Sequence, residues 1–390
     1  MLAGDGTALQ VDRIRPLLEE PVLAGAIAGG VVVLAVLAWL LVRRFRRTKG
    51  EKLSTVLSAY DEVAVLMHPN PDPDAMSAAL AVGSLAEAAG TETEEYYTGE
   101  IRHQENRAFE TVLDLDFNHI ESSADIDPDE IVLVDHNEPR GFSGAESVDP
   151  VAVVDHHPGG GTGSDFTDVR TESGACASIF AEYFEELGWE PVDPDEMGSI
   201  EDNEKVLEPR VSTGLLYGIQ SDTKSLTKGC SSADFRASEY LYPGVDRDLL
   251  DRIANPQVDA EVLEVKATAI TDREVRNAFA VSDVGTVSNV DAIPQAADEL
   301  LRLAGVTAVV VFGDKGDTIH LSGRSRDDRV HMGKTLRAVA DEVPTAGAGG
   351  HARMGGGQVP VEHMEGIGPG EGLTRTQLRE NLFAAMTGAL

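Results

Sequence analysis

The chain has 390 residues, with 67 Asp and Glu against 32 Lys and Arg, so its formal net charge at pH 7 is −35. This charge excludes a basic nucleic-acid-binding surface spread over the whole protein, though not a local one, and it is typical of a halophilic source, because salt at about 1 M screens charges beyond about 3 Å. Cys176 and Cys230 are its two cysteines, which excludes a disulfide framework and a Cys-rich zinc site.

The first predicted element is a membrane-spanning helix at 22–42. This run of about 21 uncharged residues, at a rise of about 1.5 Å each, covers a bilayer core of about 30 Å. Four arginines within 43–47 follow it, so the positive-inside rule predicts that residues 43–390 lie in the cytoplasm of a single-pass membrane protein. The alternatives are a cleaved signal peptide, which the acidic segment 1–21 and the C-terminal arginines disfavour, and a helix buried in a soluble core. A basic linker is expected at 43–54.

Three apolar runs of the soluble part are typical of buried parallel strands, and each is followed by polar residues. The runs and their polar successors are 62–67 with HPNPDPDA at 68–75, 131–134 with Asp135, and 151–154 with Asp155-His156-His157. Because parallel strands end at the same edge of a sheet, where open α/β sheets bind ligands, we expect these side chains to lie close together. An apolar helix at 211–223 adds a fourth carboxylate, Asp222.

The complete pattern predicts an α/β protein of two domains. The first is a parallel-sheet domain at 55–240, the second is a smaller α/β domain at 281–390, and a helical connector at 241–280 joins them. Within the first domain, the segment 190–209 is rich in Asp, Glu and Pro and is interpreted as a solvated insertion or mobile loop without chemistry. Within the second domain, residues 278–288 are interpreted as a hairpin.

The chemistry predicted at the sheet edge is metal binding. Prolines stiffen the HPNPDPDA loop and hold His68, Asp72 and Asp74 together, although a plain turn with Asp74 capping the next helix is the alternative. Several carboxylates that converge repel one another unless cations or retained protons neutralise them. Carboxylate and imidazole without thiolate favour Mn²⁺, with Mg²⁺ or Co²⁺ as substitutes, and a shared carboxylate suits two ions about 3.5 to 4 Å apart. The reaction expected of such a pair is hydrolysis of a phosphate ester or anhydride.

Five segments in this order resemble the DHH phosphoesterase superfamily. HPNPDPDA, VDHN, VDHH and GIQSDT resemble its four motifs, and the glycine-dense GGHARMGGG with the preceding SGRS resembles the DHH-associated C-terminal domain. The resemblance covers about residues 55–360. It implies the fold of the RecJ-like, nanoRNase and phosphoadenosine-phosphate phosphatase members.

The resemblance also implies roles for individual residues. One Mn²⁺ is held by His68, Asp72 and Asp135, and the other by Asp74, Asp135, His156 and Asp222, with Asp135 as the bridge. Of the other catalytic residues, Asp155 orients a histidine, and His157 contacts the scissile phosphate or protonates the leaving oxygen, while water between the metals is the nucleophile. The substrate's far phosphate or nucleotide is expected to contact Arg324, Ser325, Gly349, Gly350 and His351.

The substrates implied are short nucleotides bound in a cleft between the domains. Oligoribonucleotides (nanoRNA) and 3′-phosphoadenosine 5′-phosphate rank first, cyclic di-AMP second, and pyrophosphate or polyphosphate third, because the relatives that cleave these have a different C-terminal domain. A membrane-tethered nucleotide sensor without turnover is the alternative of another class, disfavoured because every expected ligand position is filled. Met354 occupies a position at which the family commonly has a small residue. The shape of the substrate pocket therefore stays open. The oligomeric state stays open, with a homodimer as one option.

The remaining histidines and cations have no motif around them. We expect these histidines to lie at the surface or to be buried with their hydrogen bonds satisfied: His103, His119, His320, His331 and His363. A catalytic and a structural role stay equally open for His136. Five further cations are expected to be solvated surface charges, and the alternative is that they form a cationic rim for an anionic substrate: Arg326, Arg329, Lys334, Lys224 and Lys228.

Overall fold

The computed structural model describes residues 47–101, 103–199, 205–364 and 372–389. The predicted transmembrane segment at 22–42 lies outside them. Within the described residues, no helix is long and apolar enough to cross a membrane. The chain divides into two compact units between Ala254 and Asn255, a position inside the predicted connector.

The first unit alternates helices with strands. Its described helices are α1 (Lys49–Leu57), α2 (Pro73–Ala89), α3 (Gln104–Val112), α4 (Cys176–Glu186), α5 (Pro209–Asp222), α6 (Ser232–Leu241) and α7 (Arg247–Ala254). Its described strands are β1 (Glu62–Met67), β2 (Glu92–Tyr97), β3 (Asn118–His119), β4 (Ile131–Val134), β5 (Ala152–Asp155), β6 (Phe166–Val169), β7 (Glu190–Pro191) and β8 (Val206–Leu207). Short 3₁₀ helices occur at Ser123–Asp125, Ala145–Ser147, Pro194–Ser199 and Tyr242–Gly244.

Six of these strands form one parallel sheet in the order β3-β2-β1-β4-β5-β6. Every residue of β4 and β5 is buried, as expected for strands covered by helices on both faces. The chain runs outward from β1 to β3 and then returns to β4 on the other side of β1. This reversal opens a crevice between the carboxyl ends of β1 and β4, which is where open α/β sheets bind ligands.

Helix α2 carries the acid-rich loop into the core. The Asp72 side chain caps it by accepting hydrogen bonds from the amides of Asp74 (3.1 Å) and Ala75 (3.2 Å), and Gly90 ends it in a left-handed conformation with φ 81°. The alternative that Asp74 is the cap is therefore wrong. Asp74 lies inside the first turn and is completely buried, because Pro73 occupies the first helical position and shifts the cap to Asp72.

The interpretation of 190–209 as an unstructured insertion is also wrong in part. Strands β7 and β8 pair as a short parallel ribbon, and α5 already begins at Pro209. Residues 200–204 of this segment lie outside the described residues. The composition of the segment does not reveal this ribbon, because each strand pairs only two residues through its backbone and needs no apolar pattern.

The second unit is built on a mixed sheet. Its described helices are α8 (Ala260–Thr271), α9 (Ala292–Leu301), α10 (Met332–Ala340) and α11 (Arg375–Thr387), with a 3₁₀ turn at Val361–His363. Its described strands are β9 (Glu274–Arg276), β10 (Phe279–Thr286), β11 (Ala308–Lys315), β12 (Thr318–Ser325), β13 (Gly347–Gly350) and β14 (Met354–Pro360). The order is β13-β14-β12-β11-β10-β9, and β10 with β11 is its parallel pair.

The strands of this second sheet correct one expectation. The predicted hairpin at 278–288 is mostly the single strand β10, whose hairpin partner β9 precedes it across a turn at Asn277. The α/β class with a parallel sheet followed by a second, smaller α/β unit is confirmed.

Candidate metal centre

The centre lies at the carboxyl ends of β1, β4 and β5, which are neighbours in the parallel sheet. His68 follows β1, Asp135 follows β4, and Asp155 is the last residue of β5. Asp135 has a left-handed backbone with φ 59°, while its amide donates to the Val154 carbonyl at 3.0 Å. This turn immediately after the strand keeps the carboxylate at the sheet edge, where it is buried with 1% of the residue exposed.

The first group of candidate ligands is His68, Asp72 and Asp135. Their donor atoms all lie within 4.8 Å of one another. His68 Nε2 is 3.4 Å from Asp135 Oδ2 and 3.7 Å from Asp72 Oδ1. The other ring nitrogen, Nδ1, is 3.0 Å from the Pro69 carbonyl, which orients Nε2 toward the carboxylates.

The second group is Asp74, His156 and Asp222, again with donor atoms within 4.8 Å of one another. His156 Nε2 is 3.4 Å from Asp222 Oδ2 and 3.7 Å from Asp74 Oδ2. It is also 3.2 Å from Asp135 Oδ1. Asp135 therefore presents one carboxylate oxygen to each group, which is the geometry of a bridging ligand.

Two atoms of this cluster lack a protein partner. Among the described residues, Asp135 Oδ1 and His156 Nε2 are buried without any hydrogen bond. Buried polar groups are rarely left unpaired, so the cluster is a set of donors that a cation completes. Oxygen and imidazole donors, with no thiolate, fit divalent Mn²⁺, Mg²⁺ or Co²⁺.

The ionisation of the cluster reflects a strongly negative potential. Burial alone lowers the pKa of His156, but the carboxylates of Asp135 and Asp222, 3.2 Å and 3.4 Å from its Nε2, raise it to about 12. The same opposition of burial to neighbouring carboxylates raises the pKa of His68 to about 11. Burial and the adjacent Asp135 charge raise the pKa of the Asp74 carboxyl well above its ordinary value. A bound divalent cation would neutralise this negative potential. It would take the place of the protons that the carboxyl and imidazole groups retain without it.

Asp155 holds His157 rather than a metal-ligating histidine. Its Oδ1 accepts hydrogen bonds from His157 Nδ1 at 2.9 Å and from the amides of His156 at 2.7 Å and His157 at 3.0 Å. His156 is oriented instead by the Ser173 carbonyl, 3.2 Å from its Nδ1. The His157 side chain is 48% exposed, and its hydrogen bond with Asp155 raises its pKa. This histidine is thus fixed at one nitrogen and accessible at the other.

Three supporting interactions were not predicted from the sequence. The buried Asn137 amide donates to Asp155 Oδ2 at 2.5 Å. The amides of Cys176 and Ala177, which begin α4, donate to Asp74 at 2.6 Å and 2.8 Å. Asn137 belongs to the VDHN segment and was recognisable there, whereas the contact of α4 with Asp74 spans about a hundred residues and carries no local signal.

His136 is not part of the cluster. Its side chain is 1% exposed, and its Nδ1 is 2.9 Å from the Val134 carbonyl. Burial lowers its pKa to about 4, so it is neutral at pH 7. This geometry supports a structural role.

The five residues predicted to contact substrate all lie in the second unit. Arg324 Nε donates to Asp298 Oδ1 at 2.6 Å, and Arg324 Nη2 donates to Asp298 Oδ2 at 3.2 Å. Ser325 is buried and bonds the Asp327 carbonyl. Gly349 and Gly350 form the end of β13, with His351 exposed immediately after it. The metal ligands are all in the first unit.

The comparison with known families agrees with this architecture. Residues 62–219 match the DHH family, N-terminal domain, and residues 276–367 match the DHHA1 domain. These two matches support the DHH superfamily. All the candidate ligands except Asp222 lie inside the matched DHH range, and Asp222 follows closely after its end.

Three known proteins show how far this similarity extends. The uncharacterized protein MJ1633 of Methanocaldococcus jannaschii is 33% identical over 336 residues, which cover 85% of this chain but 63% of that protein. Cyclic-di-AMP phosphodiesterase GdpP of Geobacillus thermodenitrificans is 37% identical over 122 residues, 30% of this chain and 18% of that protein. The crystal structure of an exopolyphosphatase-related protein from Bacteroides fragilis, at 14% identity and a TM-score of 0.56, covers 87% of this chain and 96% of that one, so the fold is shared. The chain therefore spans less than two thirds of the length of these two sequence relatives.

Proposed function

We propose that the protein is a metal-dependent phosphoesterase that uses two Mn²⁺ ions to hydrolyse phosphate esters of short nucleotides. The observation that carries the proposal is Asp135, which faces both groups of ligands and keeps one buried oxygen without a partner. A carboxylate shared between two clusters suits the paired ions that clamp an in-line displacement at phosphorus.

The side chains of the centre have different roles in this reaction. Two bound divalent ions supply an acidified water and neutralise charge on the phosphate. Asp72, Asp74 and Asp222 offset the ionic charge, and Asp135 fixes the separation of the two groups. His157 is held by Asp155 at Nδ1, and this hydrogen bond raises its pKa and so favours the protonated form that donates from Nε2 to the leaving oxygen.

Oligoribonucleotides of a few residues and 3′-phosphoadenosine 5′-phosphate are the proposed substrates. The DHHA1 match supports this class over pyrophosphate, because the resemblance implies a different C-terminal domain in the relatives that cleave pyrophosphate. Cyclic di-AMP is the second candidate, supported by the similarity to the GdpP segment. A sensor without turnover has less support, since all six ligand positions are filled and six ligand atoms lie in two compact groups.

We also propose that residues 22–42 anchor the protein in the cell membrane with the catalytic units in the cytoplasm. The uncharged run and the arginines after it support this proposal. Recovery of the full chain in the membrane fraction, with release by detergent and not by alkaline carbonate, is the expected result. Release by carbonate would contradict it.

The function is tested by incubating the full-length, detergent-solubilised protein with Mn²⁺ and a panel of substrates. The panel contains diadenylate, triadenylate, 3′-phosphoadenosine 5′-phosphate, cyclic di-AMP and pyrophosphate, with products separated by ion-exchange chromatography. Hydrolysis of the first three is expected, and Asp135→Ala should lower kcat by about 1,000-fold or more because it removes several kcal/mol of transition-state stabilisation. Asp165→Ala, which removes a carboxylate bonded to Tyr60 away from the centre, is the matched control. Nucleotide binding without product from any substrate would establish the sensor instead.

A further inference from the structure

Asn137 connects two of the loops that carry the metal centre. It lies shortly after the end of β4, and its side-chain nitrogen, Nδ2, donates to Asp155 Oδ2 at 2.5 Å and to the His157 carbonyl at 3.2 Å. Both partners are acceptors, so they use both hydrogens of the amide and fix its orientation. The residue is buried, with 6% of its surface exposed. Asn137 therefore joins the loop after β4 to the segment that ends β5.

These contacts hold His157 at its amide, its ring and its carbonyl. Asp155 Oδ1 accepts from the His157 amide at 3.0 Å and from Nδ1 of the ring at 2.9 Å. Asn137 holds the carbonyl, and it also holds Oδ2 of the carboxylate to which the ring is bonded. Without the Asn137 amide, this buried oxygen loses a donor, and the carboxylate can turn. The ring bonded to its other oxygen would then move with it.

The glycines that follow His157 pack directly against Asn137. A Cβ on Gly159 would lie 2.0 Å from Asn137 Oδ1 and 2.5 Å from Nδ2, and one on Gly161 would lie 1.6 Å from the Asn137 carbonyl oxygen. A Cβ on Gly160, between them, would meet no atom within 4 Å. The close approach to Asn137 therefore requires glycine at 159 and 161, whereas packing does not require it at 160.

We propose that Asn137 is a positioning residue, which fixes the ring of His157 through Asp155 and does not itself contact the substrate. The inference rests on the proposed function for the reaction, whereas the position of the ring is a property of the folded first unit. Among the described residues, the side-chain hydrogen bonds of Asn137 go to Asp155 and His157 and to none of the six candidate metal ligands. Its loss should therefore slow the step that uses His157 and leave metal binding unchanged.

Two variants of the full-length protein displace this amide in different ways. Asn137→Asp keeps the shape of the side chain but places an acceptor oxygen beside Asp155, so that repulsion replaces the hydrogen bond. Gly159→Ala keeps Asn137 and pushes its side chain aside, because the added Cβ would overlap with the amide. Gly160→Ala is the matched control on the neighbouring residue, where a Cβ has room.

Kinetics with two substrates measure the effect on His157. We expect both variants to lower kcat for diadenylate about 10-fold to 100-fold with little change in KM, because a displacement of about 1 Å can cost about 100-fold. The loss should be less than about threefold for bis(p-nitrophenyl) phosphate, whose leaving group needs no proton. Gly160→Ala should leave both rates within twofold. Calorimetric titration should give every variant the parent's Kd for Mn²⁺ within twofold, which shows that the centre is folded.

A double-mutant cycle separates positioning from a general structural effect. If Asn137 acts through His157, Asn137→Asp lowers kcat in the parent but not in His157→Gln, because the group that it positions is already absent. A residue that acts through stability or through the metals would lower kcat by the same factor in both backgrounds, and this result would overturn the proposal. Gly159→Ala provides the same cycle if Asn137→Asp fails to fold.

A spectroscopic measurement separates this inference from the proposed function. In the proton NMR spectrum of the Mg²⁺-loaded parent, the hydrogen-bonded Nδ1 proton of His157 is identified by its absence from His157→Gln. Its signal should shift or disappear in Asn137→Asp and Gly159→Ala and stay in place in Gly160→Ala.

The combined outcomes decide between the two claims. A parent that hydrolyses no substrate but shows this NMR pattern overturns the phosphoesterase and leaves the positioning role standing. A parent that hydrolyses diadenylate, with the signal and kcat unchanged in Asn137→Asp and Gly159→Ala, overturns the positioning role alone. Absence of the signal from the parent contradicts the hydrogen bond between His157 and Asp155, and with it the inference.

Discussion

Asp135 adopts a backbone conformation that few non-glycine residues adopt, with φ 59° directly after a buried strand. Such strained positions persist where the surrounding structure fixes them, and they occur preferentially at functional sites. Here the amide of Asp135 is held by the Val154 carbonyl of the neighbouring strand, so the sheet itself fixes the turn. The result is a carboxylate that both ligand groups share.

His157 is the residue whose function is most directly testable. Replacing it with glutamine should lower kcat for diadenylate by about 100-fold or more, because a general acid typically contributes that much. The loss should be smaller for a p-nitrophenyl ester, whose leaving group needs no proton, and the bound Mn²⁺ measured by atomic absorption should not change.

The matched control for this substitution is His119→Gln. The His119 ring packs edge-on against Tyr97, away from the centre. Recovery of the His157→Gln activity by additional Mn²⁺ would contradict the acid role and identify His157 as a metal ligand.

Asp168 illustrates a buried carboxylate with a structural role. Burial alone raises its pKa, but hydrogen bonds from Arg170 and Tyr183 hold the pKa below the ordinary value of 3.8. A carboxyl whose pKa is depressed by folding stabilises the native state above its unfolded pKa and loses that contribution as pH falls through the folded value. Asp168→Asn should therefore lower the free energy of unfolding at pH 7 by about 2 kcal/mol.

Urea denaturation at pH 7 and pH 3 measures this effect. The difference between Asp168→Asn and the parent should be smaller at pH 3, because pH 3 lies below the ordinary carboxyl pKa of 3.8 and the unfolded parent takes up a proton there. An equal difference at both values would show that packing, and not charge, is responsible.

At the scale of elements, the amino-terminal end of α4 joins the metal centre to the rest of the first unit. Asp74 accepts from its first amides, and the buried Asp234 of α6 accepts from the Gly174 amide at 3.1 Å and from Ser178 Oγ at 2.6 Å. Ser173, whose carbonyl orients His156, immediately precedes Gly174. Asp234 thus holds the segment that orients the candidate ligand His156, although Asp234 itself does not contact the cluster.

Asp234→Asn should weaken Mn²⁺ binding by about tenfold, as loss of residues behind a ligand commonly does. The measurement is calorimetric titration of metal-stripped protein with Mn²⁺, with activity restored at high Mn²⁺ as a second readout. Asp168→Asn is a control of similar burial in the same unit, and its Kd for Mn²⁺ should stay within twofold. Equal weakening in both variants would mean that Asp234 acts through general stability alone.

At the scale of the whole molecule, the net charge of −35 acts against the compact state. Salt screens this repulsion, so stability should rise between 0.1 M and 2 M KCl by about 2 kcal/mol, equivalent to about 5 °C in Tm. Differential scanning calorimetry over this range is the measurement, with an equal osmolality of glycine betaine, which carries no net charge, as the comparison. A Tm that does not change with KCl would show that the acidic surface is already neutralised locally.

The sequence determined the elements of the first sheet and the types of residue at its edge. Apolar runs at 62–67, 131–134 and 151–154 predicted β1, β4 and β5 to within a residue, because parallel strands buried on both faces are continuously apolar. The polar residues that follow each run, together with Asp222, were likewise visible because ligand types are local information.

Only the tertiary structure decided which of these residues meet. The strand order places β1 beside β4, so His68 and Asp135 become neighbours although β2 and β3 lie between them in the chain. The Nδ1 of His156 is oriented by a backbone carbonyl, and the Asp74 carboxylate accepts from the amino terminus of a helix. Backbone groups have no side-chain signature, so no pattern of residues records these contacts before the chain folds.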